Sequence, residues 1–143
     1  MGCTVKNEPD GITVAGGDRL RAVEIDMGDM PDVVPTLAVV AAFAEGTTVI
    51  KNVSHLKSKE SDRLTSVVNE LIKMGITARC TDDELMIDGG HPRRAEIETY
   101  GDHRIAMSFA VAGLAVPGTH IRGEHCVEKS FPNFWQVFEA LYR

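Results

Sequence analysis

The chain has 143 residues, 43% hydrophobic and 25% charged, enough for one domain with a substantial core, and its formal charge of −6 excludes a general nucleic-acid binder. No apolar run reaches membrane-spanning length and residues 1–6 do not form a signal peptide. Cys3, Cys80 and Cys126 are odd in number and outside any metal-binding pattern, so a soluble, cytoplasmic protein with reduced thiols is predicted.

From the N-terminus, short strands are predicted over residues 3–5 and 12–14, joined by a turn with hairpin chemistry (Pro9, Asp10, Gly11). Gly16-Gly17 leads to a third strand over 23–26. Residues 34–44 are apolar nearly all round, which predicts a helix buried on most sides, with Gly46 at its end. A strand over 47–52 then enters the charged run Lys57-Ser58-Lys59-Glu60-Ser61-Asp62-Arg63. Beyond it Leu64, Val67, Val68, Leu71 and Ile72 recur at helical spacing, so the run opens an amphipathic helix, with Ser61 or Asp62 as its cap.

The pattern then repeats. Met1-Gly2, Gly16-Gly17 and Arg21-Ala22 recur 73 residues later as Met74-Gly75, Gly89-Gly90 and Arg94-Ala95. Glu24-Ile25 and Gly46-Thr47 recur 72 later as Glu96-Ile97 and Gly118-Thr119, after a one-residue deletion. The second unit accordingly predicts strands over 76–79, 85–87, 95–99 and 119–122, a buried helix over 105–115, and a final helix. Units of about 1–73 and 74–143 follow. The first helix pair runs straight into a second hairpin, whereas the second unit stops at Tyr142-Arg143, so the expectation is a fragment of a longer array with an unpaired sheet edge.

The repeat places charged loops at equivalent positions: around Asp32, Lys57 to Arg63, Asp102-His103-Arg104, and Lys129. Each precedes a helix, where backbone N–H groups and the macrodipole favour anions. Converging at one end of the fold, they would form an anion site charged by Lys59, Arg63, Arg104 and Lys129. Taken singly each residue has an ordinary reading: Asp32 as an N-cap, His103 as a hydrogen-bonded structural histidine, Lys129 as a solvated loop residue.

Lys59-Glu60-Ser61-Asp62-Arg63, Asp102-His103-Arg104-Ile105-Ala106-Met107 and Lys129-Ser130-Phe131-Pro132-Asn133-Phe134 resemble, in order, three hallmark segments of the 3-phosphoshikimate 1-carboxyvinyltransferase (EPSP synthase) family. The region from Met27 to Asp32 resembles a fourth. The likeness extends over essentially the whole chain. It implies an α/β fold, the inside-out barrel of enolpyruvyl transferases with its βαβαββ units, here about two, within the C-terminal domain of a two-domain enzyme whose N-terminal domain is absent. It also implies the reaction of phosphoenolpyruvate with shikimate 3-phosphate, no metal or other cofactor, and no nucleic-acid or membrane partner. The implied parent enzyme is a monomer, and the fragment self-associates through its open sheet edge.

By the same resemblance Asp32 matches the proton acceptor at the 5-hydroxyl of shikimate 3-phosphate, and Glu60 the proton donor. Lys59 contacts both reactants and is a rival acid. Arg63, Arg104 and Lys129 match the phosphoenolpyruvate clamp, where guanidinium suits bidentate anion binding. His103 acts near the leaving phosphate, and His55 stands where some members use an asparagine near shikimate. The other half of the cleft is outside this chain, so the 143 residues alone are expected to be inactive. Two further readings stand beside this one: a non-catalytic phosphate- or anion-binding module, and the sister transferase that acts on UDP-N-acetylglucosamine.

Overall fold

The two halves of the chain fold into the same run of elements, apart from a 3-10 turn present before the first long helix alone, in the computed structural model, which describes residues 1–17 and 19–141. The first half contains β1 (Thr4–Glu8), β2 (Gly11–Ala15), β3 (Glu24–Asp26), a 3-10 turn (Pro31–Val33), α1 (Val34–Ala41), β4 (Thr47–Lys51), a second 3-10 turn (Ser54–Ser58) and α2 (Arg63–Lys73). The second contains β5 (Thr77–Cys80), β6 (Leu85–Asp88), β7 (Glu96–Glu98), α3 (His103–Ala115), β8 (His120–Arg122), a 3-10 turn (Glu124–Lys129) and α4 (Phe134–Ala140). Tyr142 and Arg143, where the second unit stops, lie outside the described residues.

Strand pairing explains why one unit needs the next. β3 and β4 run parallel, so the chain must cross over between them, and α1 makes that crossover. The sheet is finished by the following unit's hairpin: β6 pairs antiparallel with β4 and β5 pairs outside it, in the order β3-β4-β6-β5. Alternation then sends Ile50, Leu85 and Ile87 inward, against a core that includes Ala38, Val39, Leu64, Leu71, Ile97, Ile105 and Phe109. β1–β2 and β7–β8 remain two-stranded, and all ten residues of β1 and β2 are exposed.

The two apolar helices lie side by side across the core, with Thr36 Oγ1 and Ser108 Oγ 2.9 Å apart in a hydrogen bond between them. α1 ends at Ala41, three residues short of the predicted 44. The reason lies in the next unit. The Gly90 N–H donates to the Ala42 carbonyl, and a Cβ on Gly89 would stand 1.9 Å from the Ala44 oxygen, so the chain after Ala41 is shaped by the Gly-Gly pair pressed onto it. α2 starts as expected, with Asp62 as its cap: the carboxylate accepts from the Thr65 N–H at 3.1 Å and the Thr65 hydroxyl at 2.7 Å. Its apolar stripe is narrower than the sequence pattern, because Ile72 is exposed. Cys3, Cys80 and Cys126 are free thiols, and among the described residues no helix is long and apolar enough to cross a membrane.

Candidate active site

Arg63 is the first residue of α2, and its side chain is only 2% exposed. A buried guanidinium must be paired and fully hydrogen-bonded. Three carboxylates from three different segments do this. Nε donates to Asp102 Oδ2 at 2.7 Å and Nη2 to Asp102 Oδ1 at 3.3 Å. Nη1 donates to Asp32 at 2.9 Å, and Nη2 also to Glu60 at 2.8 Å. Two outer cations complete the set: Arg104 reaches the second oxygen of Asp32 at 3.4 Å, and Lys129 reaches the second oxygen of Glu60 at 2.8 Å. Four loops that are distant in sequence thus meet in one charged lattice.

Local structure aims each member. Asp102 is the N-cap of α3, accepting from the Arg104 N–H at 2.9 Å, and also receives the Ser61 hydroxyl at 3.1 Å. It is fully buried, so its charge is fixed under Arg63. The segment leading to Asp102 is tied to α2 by buried Glu70, which accepts from the Tyr100 hydroxyl at 2.7 Å and from the Glu98 N–H at 3.0 Å. Tyr100 takes φ of +56°, a sparsely populated conformation that turns the β7–α3 loop. Asp32 lies within the 3-10 turn before α1 and caps nothing; the N-cap of α1 is Val33, with no side-chain bond. Its carboxylate is given to Arg63 and Arg104 instead.

The electrostatics follow from these contacts. Lys129, the Glu60 backbone N–H and the charge of Arg63 hold the Glu60 carboxyl down at about 2, against the opposing effect of burial. Burial would raise Asp32, but the Arg63 hydrogen bond and the charges of Arg104, Arg63 and Lys59 outweigh it and hold Asp32 below its ordinary value. Both are carboxylates at neutral pH. Desolvation pulls His103 below its usual value, leaving a neutral imidazole whose buried Nδ1 has no hydrogen-bond partner among the described residues. Arg104 Nε is likewise without a partner there.

Of the residues singled out in the sequence, Asp32, Glu60, Arg63, Arg104 and Lys129 are joined directly. Lys59 is exposed at the end of the 3-10 turn, in extended backbone, and acts on Asp32 through its charge alone. His55 is exposed in the middle of that turn, with no hydrogen bond to the group among the described residues. Sequence reasoning missed Asp102 as the principal partner of Arg63, and Ser61 and Glu70 as its supports. The signal available was slight: an Asp before His103-Arg104 reads as a cap, and it is one.

The same fold is found in solved enolpyruvyl transferases. An EPSP synthase from Acinetobacter baumannii superposes with a TM-score of 0.82 at 33% identity, covering 96% of this chain and 35% of that one. The enolpyruvyl transferase NikO from Streptomyces tendae gives 0.79 at 28% identity, over 99% of this chain and 33% of its own. The fold is therefore the inside-out α/β fold of enolpyruvyl transferases. The family model of EPSP synthase (3-phosphoshikimate 1-carboxyvinyltransferase) matches residues 1–138, and the chain belongs to that family. The 3-phosphoshikimate 1-carboxyvinyltransferase of Syntrophobacter fumaroxidans is 51% identical over 143 residues, 99% of this chain and 34% of its own length. The Nostoc punctiforme relative is 45% identical over 138 residues, 96% of this chain and 32% of its own. The chain spans about a third of the length of the curated relatives it matches.

Proposed function

We propose that the 143 residues form part of the C-terminal domain of an EPSP synthase, as repeat units 1–73 and 74–143, and contribute one wall of its reaction cleft. The protein that contains them transfers the enolpyruvyl group of phosphoenolpyruvate to the 5-hydroxyl of shikimate 3-phosphate, in the cytoplasmic route to aromatic amino acids. The 5-hydroxyl oxygen bonds to C2 of phosphoenolpyruvate while its methylene carbon gains a proton. The resulting tetrahedral intermediate then loses phosphate and that methyl group gives up a proton, restoring the double bond. The observation that carries this reading is the buried Arg63, tied to Asp32 and Glu60, with Arg104 and Lys129 on their outer faces.

In this reading Asp32 takes the proton of the attacking hydroxyl and Glu60 supplies the proton to the methylene carbon, with Lys59 as the competing donor. Arg63, Arg104 and Lys129 hold phosphoenolpyruvate; Lys59 and His55 face shikimate 3-phosphate, and neutral His103 lies near the leaving phosphate. Glu60 can act as an acid only after Lys129 and Arg63 are drawn towards the substrate anion, because their contacts now keep it ionised. One wall cannot hold two substrates in attack geometry, so the 143 residues alone are inactive in this proposal. They also self-associate through an open sheet edge.

The test is to join the chain to the remaining two-thirds of the Syntrophobacter fumaroxidans relative and follow phosphate release from phosphoenolpyruvate. Release that requires shikimate 3-phosphate supports the transferase. Release with UDP-N-acetylglucosamine instead assigns the sister reaction. Phosphoenolpyruvate binding without release from the joined protein leaves only an anion-binding module.

A further inference from the structure

α2 holds the β7–α3 loop at two points. At its first residue, Arg63 grips Asp102. Two turns further on, on the same face of the helix, Glu70 accepts from the Tyr100 hydroxyl at 2.7 Å and from the Glu98 N–H at 3.0 Å. The two anchors lie about 10 Å apart along the helix axis. The first belongs to the charged site and the second does not. Glu70 is fully buried, and its remaining hydrogen-bond partner among the described residues is Lys73 of α2 itself, at 2.8 Å.

The turn between the anchors is one a tyrosine rarely takes. Tyr100 and Gly101 both have left-handed backbone, with φ of +56° and +69°, and the Asp102 N–H closes the turn on the Thr99 carbonyl at 2.9 Å. Glycine adopts that conformation freely, whereas a tyrosine stays in it only where its surroundings hold it. Tyr100 is 39% exposed, so burial holds it weakly and the bond from its hydroxyl to Glu70 carries much of the restraint.

This loop carries part of the charged site. Asp102 caps α3 by accepting from the Arg104 N–H at 2.9 Å, so Arg104 moves with the loop, whereas Arg63 moves with α2. The two guanidiniums stand so that one carboxylate spans them: Asp32 takes Arg63 on one oxygen at 2.9 Å and Arg104 on the other at 3.4 Å. A ligand carboxylate or phosphate needs the same spacing. From the same turn the Thr99 hydroxyl reaches the Gly123 carbonyl at 3.4 Å, at the head of the 3-10 turn that ends in Lys129.

We propose that Glu70 and Tyr100 are positioning residues for the anion site: they fix the β7–α3 loop against α2 and so set the spacing of Arg63 and Arg104. An incoming anion displaces Asp32 and Glu60 from Arg63, so the first anchor works in surroundings that change during binding. The second meets no ligand and keeps its grip throughout. The inference rests on the anion-holding role given above to Arg63 and Arg104.

The experiment follows the Asp32 carboxyl carbon by NMR during acid titration of the 143-residue chain, because Asp32 touches both guanidiniums. In wild type, against the opposing effect of burial, the Arg63 hydrogen bond and the Arg104 charge hold its midpoint below 3.8. Tyr100→Phe keeps the ring and loses the hydroxyl; Glu70→Gln keeps the shape with one acceptor oxygen instead of two. Each is expected to raise the Asp32 midpoint towards 3.8, with circular dichroism at neutral pH unchanged from wild type. Lys73→Met is the structural control. It removes an ion pair from the same carboxylate but neither bond to the loop, so it should lower the thermal midpoint and leave Asp32 unmoved. In the joined protein, Tyr100→Phe should raise the KM for phosphoenolpyruvate roughly tenfold, what one hydrogen bond to a charged group contributes, with a smaller change in kcat. An Asp32 midpoint indifferent to both variants overturns the proposal, as does an equal shift in Lys73→Met or an unchanged KM in an active joined protein. A wild-type joined protein that releases no phosphate overturns the transferase reading alone, since the titration is made without substrate.

Discussion

Asp102→Asn changes one atom and one charge, which makes it a sharp probe of the Arg63 lattice. The carboxylate now accepts four hydrogen bonds: two from Arg63, one from the Ser61 hydroxyl and one from the Arg104 N–H. An amide offers a single oxygen, so in either orientation its NH₂ faces donors that have lost their acceptor. A charge-assisted hydrogen bond contributes about 1.5–3 kcal/mol, and removing one partner of a buried ion pair costs about 3–5 kcal/mol. Arg63 retains Asp32 and Glu60, so the lower end applies, about 3 kcal/mol. For a domain of this size that lowers the unfolding midpoint by about 10 °C. Thermal and urea unfolding at pH 7 and fixed protein concentration measure it, with exposed Asp29→Asn as a control expected within about 0.5 kcal/mol. Added salt should leave the difference in place, because a buried pair is poorly screened. A stability within about 0.5 kcal/mol of wild type would refute the claim that Asp102 anchors Arg63.

Lys129→Met should raise the Glu60 titration midpoint, seen by carboxyl-carbon NMR, from about 2 towards its ordinary value of 4.5. Because the folded value is the lower one, the ion pairs of Glu60 stabilise the protein above about pH 4.5 and are lost as pH falls towards 2. Solvent reaches this carboxylate, so the effect removed by Lys129→Met is below about 1 kcal/mol, fully present at neutral pH and fading as pH falls from about 4.5 towards 2. Glu70→Ala should cost about 2–4 kcal/mol by stranding the Tyr100 hydroxyl and the Glu98 N–H. Tyr100→Phe alone should cost less, and a double-mutant cycle between the two should show coupling of about 1 kcal/mol. Gly89→Ala should destabilise by 3 kcal/mol or more in urea unfolding, in the range of severe overpacking, whereas Gly16→Ala should leave the monomer close to wild type.

The fold was legible where the signal was periodic. Spacings of 73 and 72 residues anticipated the recurring order of elements, and the stripe of Leu64, Val67 and Leu71 found α2. What escaped was decided by contacts between units. α1 stops at Ala41 because of Gly89 and Gly90, which lie in the next unit and carry no helix-stop signal for residues 42–44. Ile72 fits helical spacing, yet it is left exposed on α2 among the described residues. In the site, the cations and all three carboxylates could be picked out as charged residues before helices, though Asp102 was given no role of its own. Their pairing could not, since Arg63 and Asp102 are 39 residues apart and Arg104 and Asp32 are 72 apart. Asp32 and Asp102 both sit where a cap is expected; only Asp102 caps, because the 3-10 turn at Pro31–Val33 rotates Asp32 towards Arg63.

The lattice around Arg63 makes anion binding a competition rather than an addition. Asp32 and Glu60 already occupy the faces of Arg63, Arg104 and Lys129 that a phosphate or carboxylate would seek. A ligand therefore has to evict resident carboxylates, and much of the Coulombic gain of seating it is offset by separating pairs already formed. The evicted groups lose the cations that kept them ionised, so proton affinity at Asp32 and Glu60 rises as the ligand settles. In the transferase reading proposed above, occupancy and acid–base competence are then two readings of one event: while Arg63, Arg104 and Lys129 hold them, Asp32 and Glu60 stay ionised.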